Sequence, residues 1–178
     1  YPPETIIIAN TQTKGRGRFK RKWLSEEGGI YISFVIGPKT ENLGIATFMA
    51  ALSVSKALRN LYSIETEIKW PDDILYKEQK LAGILTETAT QGAKQKMIIG
   101  IGLNANNHVP RTVQSTSLSI ILAKTIDKEQ LLTALIQEFQ KLYQTKYLQK
   151  KFSEILSEWK SECSTLGRDI KAKTIEGT

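Results

Sequence analysis

Apolar and polar side chains alternate through residues 28–38, GGIYISFVIGP, with Ile30, Ile32, Phe34 and Ile36 on one side and Tyr31, Ser33 and Val35 on the other. That period of two, bounded by Gly28-Gly29 and Gly37-Pro38, predicts a β-strand. Residues 4–12, ETIIIANTQ, predict a short buried strand ahead of it. From Asn42 the period lengthens: Ile45, Phe48, Met49, Leu52, Leu58 and Leu61 recur near helical spacing, with Asn42 as N-cap. Residues 64–70, IETEIKW, predict a strand that runs to Pro71, and residues 73–88 predict a hairpin turning at 77–79. Residues 96–106, KMIIGIGLNAN, predict a strand with Gly100 and Gly102 on one face. Glycines so placed mark a close approach of a ligand or of other parts of the chain. DKEQ at 127–130 resembles a capping box, and Leu132, Leu135, Ile136, Phe139, Leu142 and Tyr143 follow at helical spacing. Phe152, Ile155, Leu156 and Trp159 predict a further helix. Strands and helices come in groups and do not alternate, which predicts an α+β fold: a mixed or antiparallel sheet with packed helices.

Length and composition narrow the class. The 178 residues suffice for one domain with a core, and 40% apolar with 24% charged residues describes a globular chain. The longest apolar run, MIIGIGL at 97–103, falls far short of the roughly 18 residues of a membrane span. No signal peptide is visible, and a lone cysteine, Cys163, cannot form an internal disulfide, so a reducing cytoplasm is expected.

Charge points to one place. The net charge is +7, and Lys14, Arg16, Arg18, Lys20, Arg21 and Lys22 carry nearly all of it: without them 19 basic residues face 18 acidic ones. A nucleic-acid face spreads its charge over several elements, so one basic loop implies one anionic site. The loop, GRGRFKRKW at 15–23, is neither a P-loop nor a dinucleotide fingerprint: the GK[ST] ending and the third glycine are missing, and a strand follows it. A charge run alone describes a solvated loop equally well. Here, however, glycines alternate with arginines, which lets backbone and guanidinium groups close on an anion together. Trp23, just beyond, can cover an aromatic base. An anion clamp beside an aromatic platform suggests a nucleotide.

Two further motifs are individually weak. KWPDDI at 69–74 joins a lysine, a rigid turn and two adjacent carboxylates, Asp72 and Asp73, able to hold Mg²⁺ or simply to form a turn. KLAGIL at 80–85 places Lys80 at the head of an apolar strand, with Gly83 leaving room for a ligand. Together, and in this order, GRGRFKRKW, KWPDDI, KLAGIL, IGIGLNAN and TSLSI at 116–120 resemble the catalytic domain of the biotin protein ligases, the biotin–[acetyl-CoA-carboxylase] ligases. The resemblance covers nearly the whole chain.

It implies the fold of the class II aminoacyl-tRNA synthetase core and a two-step reaction. Biotin and MgATP give biotinyl-5′-AMP and pyrophosphate, and the biotin then passes to a lysine of a biotin carboxyl carrier protein domain. Two anions must meet in the first step, so the resemblance makes Arg18 and Lys80 catalytic, stabilising charge on the attacked phosphorus. It implies biotin contacts from Gln12, Gly15, Arg16, Gly17 and Gly83. It implies nucleotide contacts from Arg18, Arg21, Trp23, Lys69 and Asn104, a Mg²⁺ contact from Asp73, and a loop that closes over the mixed anhydride. A homodimer is compatible with it.

This sequence departs from the pattern at Asp72, where the motif otherwise reads Asn. A Ser-Thr-Asn segment that completes the biotin pocket in the family is not in this chain, whose catalytic domain is expected to cover residues 1–166. Residues 167–178 are expected to begin a small C-terminal β-barrel. His108 and Cys163 are expected to have no chemical role. The lipoate–protein ligases share the fold and the adenylation logic, but the Gly-Arg-Gly-Arg loop favours biotin. The remaining alternative is a nucleic-acid-binding module that uses the basic loop. No DNA contact is expected from this segment.

Overall fold

In the computed structural model, which describes residues 1–40, 42–91, 94–110 and 114–170, six strands form one antiparallel sheet. They are β1 (Thr5–Ala9), β2 (Ile30–Ile36), β3 (Glu67–Lys69), β4 (Asp73–Tyr76), β5 (Gln79–Gln91) and β6 (Lys94–Leu103), in the order β1-β2-β6-β5-β4-β3. The four α-helices are α1 (Leu43–Tyr62), α2 (Leu118–Leu122), α3 (Lys128–Leu142) and α4 (Phe152–Glu162). The α+β expectation holds, and its antiparallel form is the one observed.

Side-chain alternation sorts the layers. Ile30, Ile32, Phe34 and Ile36 of β2 join the main core under α1 and α3, where Phe34 stacks flat on Phe139 at 3.7 Å between ring centroids. Asn42 caps α1 by accepting from the Gly44 amide, and Asp127 caps α3 by accepting from the amides of Glu129 and Gln130. The α3 stripe contains Leu131, which the spacing missed, while Leu132 and Ile136 lie at its half-buried margin. A π-helical turn, Tyr143–Tyr147, follows α3 and carries the aromatic column onward from Phe139 through Tyr143 to Tyr147.

Two expectations need correction. β1 is an edge strand with half-buried side chains and Ile8 exposed, because it pairs only with β2 and has no neighbour on its other side. The helix α2 was not foreseen, since five residues are too few to show a period. The hairpin turns as expected, with Lys77 and Glu78 both at positive φ. No strand forms among residues 167–170, and residues 171–178 of the expected barrel start lie outside the described residues. No helix among the described residues is long and apolar enough to cross a membrane.

A polar seam ties α4 to the far edge of the sheet. Ser55, fully buried on α1, donates to Glu162 at 2.5 Å, Thr66 donates to Ser55, and Arg59 also reaches Glu162. Beyond it, the Ser164 amide donates to the Ile68 carbonyl and the Thr165 hydroxyl accepts from the Trp70 amide. The chain after α4 therefore braces the segment leading to Asp72.

Because Phe139 is buried and stacked on Phe34, Phe139→Ala should cost about 3–5 kcal/mol of stability. Denaturant unfolding measures this; a loss under 1 kcal/mol would mean that the helix layer does not depend on the stack.

Candidate active site

One row of paired residues crosses the whole sheet: Ala9, Tyr31, Gly102, Gly83, Asp73 and Lys69, one from each strand. Residues directly opposite in antiparallel strands present their side chains on the same face. In the middle of the row two glycines pair with each other, Gly83 on β5 and Gly102 on β6. The side-chain volume missing there is filled by Trp23. A Cβ on Gly102 would lie 2.5 Å from the indole Nε1, and one on Gly83 would lie 3.2 Å from the ring. The glycine signal in β6 thus marks a close approach, here of a side chain from the basic loop.

The loop folds back on itself over this floor. Arg16 and Lys22 bridge as antiparallel partners, the Gly17 amide donates to the Arg21 carbonyl, and the Trp23 amide donates to the Gly15 carbonyl. Gly15 is buried, and a Cβ there would strike the Ser25 hydroxyl and the Trp23 carbonyl at 2.5 Å. Phe19 turns the tip in a left-handed conformation, φ 54 and ψ 39, with its ring exposed.

Four charged groups meet beside the indole. Lys80 Nζ lies 5.2 Å from the centre of the Trp23 ring and pairs with Asp73 at 2.5 Å. Arg18 pairs with Asp72 at 3.5 Å. Asp72 is buried, and burial pushes its carboxyl above the ordinary range; the Arg18 guanidinium opposes this, Asp73 adds to it, and Lys80 opposes it. The Asp72 carbonyl accepts from the Ile84 amide, which fixes the KWPDDI turn against β5. Tyr31, farther along the row, has its pKa pushed up to about 12, first by burial and then by Glu26, and donates to the Glu26 carbonyl.

The other expected residues divide. Gln12 accepts from the Ser25 hydroxyl at 2.7 Å, which places it at the loop base. Arg16 pairs with Glu87 on β5 at 2.9 Å. Arg21 and Lys69 are exposed. Asn104 is buried; its amide donates to the Thr116 carbonyl and its oxygen accepts from Asn107, so it holds the connection to α2. A cleft of about 210 Å³ opens beside Trp23 and Lys80, walled by Leu24, Asn107, His108 and Pro110. Sequence reasoning missed Asn107, Leu24, Pro110 and Glu87, which carry no motif of their own, and gave His108 no role. A second hollow, about 280 Å³ between β1, β2 and α3, includes none of the motif residues.

Known proteins resemble this chain throughout. The sequence model of the Biotin/lipoate A/B protein ligase family matches residues 1–104. The bifunctional ligase/repressor BirA of Bacillus subtilis is 36% identical over 99% of the chain, which spans 57% of that protein's length. The biotin–[acetyl-CoA-carboxylase] ligase of Paracoccus denitrificans is 30% identical over 94% of the chain and is itself covered to 74%. The structure of the biotin protein ligase from Aquifex aeolicus in complex with biotin and ATP superposes with a TM-score of 0.77 at 35% identity, covering 94% of this chain and 72% of that one. A basic glycine loop on a glycine floor, two cations against two carboxylates, and these relatives agree: the chain belongs to the biotin/lipoate A/B protein ligase family, as a biotin protein ligase catalytic domain.

Proposed function

We propose that the protein activates biotin with ATP to biotinyl-5′-AMP and transfers the biotin to a lysine of a biotin carboxyl carrier protein domain. The observation that carries this reading is the convergence of Trp23, Lys80, Arg18 and the Asp72–Asp73 pair around the Gly83–Gly102 floor. The indole covers this floor, and the cleft of about 210 Å³ beside Trp23 and Lys80 is where a flat ring can lie. The Trp23 Nε1 is buried against Gly102 and has no partner among the described residues.

In the first step a carboxylate oxygen of biotin attacks the α-phosphorus, the bond to the bridging oxygen breaks, and pyrophosphate leaves. Negative charge builds on the non-bridging oxygens, where Arg18 and Lys80 are the donors within reach. Asp73 orients Lys80 through their ion pair. In the second step the acceptor amine attacks the acyl carbon, loses a proton and expels AMP. Gly15 and Gly17 let the loop lie close over the anhydride and keep water away.

Mg²⁺ would arrive on the phosphates of ATP. Among the described residues no group of three His, Cys, Asp or Glu side chains could cage a metal alone. Adjacent carboxylates do meet the requirement of Mg²⁺ for one or two carboxylates plus phosphate oxygens, and Asp73 is the more exposed of the two. The buried free thiol of Cys163 suits a reducing cytoplasm.

Three measurements test the reading. Pyrophosphate exchange into ATP should depend on biotin and not on lipoate; exchange with lipoate alone would reject it. Lys80→Ala should lower that exchange roughly 10²–10³-fold with little change in unfolding midpoint, since Lys80 is half-exposed; wild-type exchange would remove Lys80 from the chemistry. Gly102→Ala puts a methyl group where the indole lies, so Trp23 must leave the floor. Biotin affinity should fall at least tenfold, and unchanged affinity would show that the floor takes no part in binding.

A further inference from the structure

The loop's ends and its tip are held differently. At the base, Gln12 and Ser25 bond to each other through backbone and side chain, Trp23 sits on the glycine floor, and Arg16 pairs with Glu87. The tip, residues 17–21, bonds mainly to itself: Gly17 to Arg21, and Arg21 to Arg18. Among the described side chains, one ion pair joins the tip to the sheet, Arg18 to Asp72 at 3.5 Å.

Asp72 is well placed for that work. Its side chain is 12% exposed, against 40% for Arg18, so the carboxylate has lost much of its hydration and needs a cation. The neighbouring cation, Lys80, is already engaged by Asp73. The backbone of Asp72 is fixed by the Ile84 amide, and the segment before it is braced through Trp70 and Thr165. A rigid anion therefore faces a flexible arginine. Asn, the residue the motif otherwise carries here, has the shape but not the charge.

We propose that Asp72 is a positioning residue that docks the tip of the basic loop onto the sheet through Arg18, and that any anion bound by Arg18 must compete with it. Holding the guanidinium in place reduces the ordering cost of binding, while pairing it with a carboxylate weakens its pull on a phosphate. This chain thus exchanges some anion affinity for a loop that is ordered beforehand, a balance set by one residue.

The test is amide hydrogen exchange on the protein without substrate, read at Gly17 and Arg21, whose amides donate within the tip. Asp72→Asn keeps the side-chain volume and should speed exchange there about tenfold, while amides of β2 and β6 stay protected. Arg18→Gln should speed loop exchange by a similar factor, and adding Asp72→Asn to it should change little. Unchanged loop exchange in either single variant would overturn the proposal, as would an equal effect of Asp72→Asn with and without Arg18. Should Asp72→Asn also loosen the core, Arg18→Gln decides alone, because its side chain is on the surface loop. Calorimetry with inorganic pyrophosphate is the second arm: Asp72→Asn should bind it several-fold more tightly, and equal or weaker binding would refute the competition. Exchange needs no substrate, so its failure would leave the ligase reading intact, and failure of biotin-dependent activity would leave this inference intact.

Discussion

The structure depends on a contact that only glycine permits. Trp23 can lie on the sheet because Gly83 and Gly102 pair with each other at the centre of the cross-strand row. A side chain at Gly102 would lift the indole, and with it the loop that carries Arg16 and Arg18, while one at Gly83 would crowd Lys80 and the ring edge. Every other feature of the site refers to that contact. Lys80 is near the ring because it heads the same strand as Gly83. Asp73 faces Lys80 because it is the cross-strand partner of Gly83. Asp72, one residue earlier, meets Arg18.

The charges make a compact balance. Two cations that could receive an anion each have a carboxylate neighbour, contributed by consecutive residues of one turn. Such pairs are worth little at an exposed surface, and more as hydration is lost. Here they are intermediate, which suits groups that must stay charged, hold position and still give up a partner. The polar seam from Ser55 to Glu162 and the bond between Thr165 and Trp70 place the stiffest part of this arrangement on the side of the carboxylates, not of the loop.

Much of this was legible in the sequence. The alternation in residues 30–36 fixed which side chains enter the core, and glycines two apart in 97–103 announced a close approach. The spacing of Leu135, Phe139 and Leu142 gave the helix that caps Phe34. The motif order, through the family resemblance, already groups Arg18, Trp23, Asp73 and Lys80. What stayed hidden depended on distant pairing. Nothing local says that Arg16 meets Glu87, 71 residues away, or that Asn104 spends its amide on Thr116. The edge position of β1 was equally invisible, because an apolar run reads the same at the centre of a sheet and at its margin.

The central claim is that one site, defined by Arg18, Lys80, Trp23 and the glycine floor, holds the activated intermediate. A crystal structure of the protein with a non-hydrolysable biotinyl-5′-AMP analogue tests it most directly. The account predicts phosphate-mimicking oxygens within hydrogen-bonding distance of both Arg18 and Lys80, with a ring of the ligand against Trp23 over Gly83 and Gly102. A ligand bound in the hollow between β1 and α3, or one that leaves Arg18 on Asp72 and Lys80 on Asp73 alone, would contradict it.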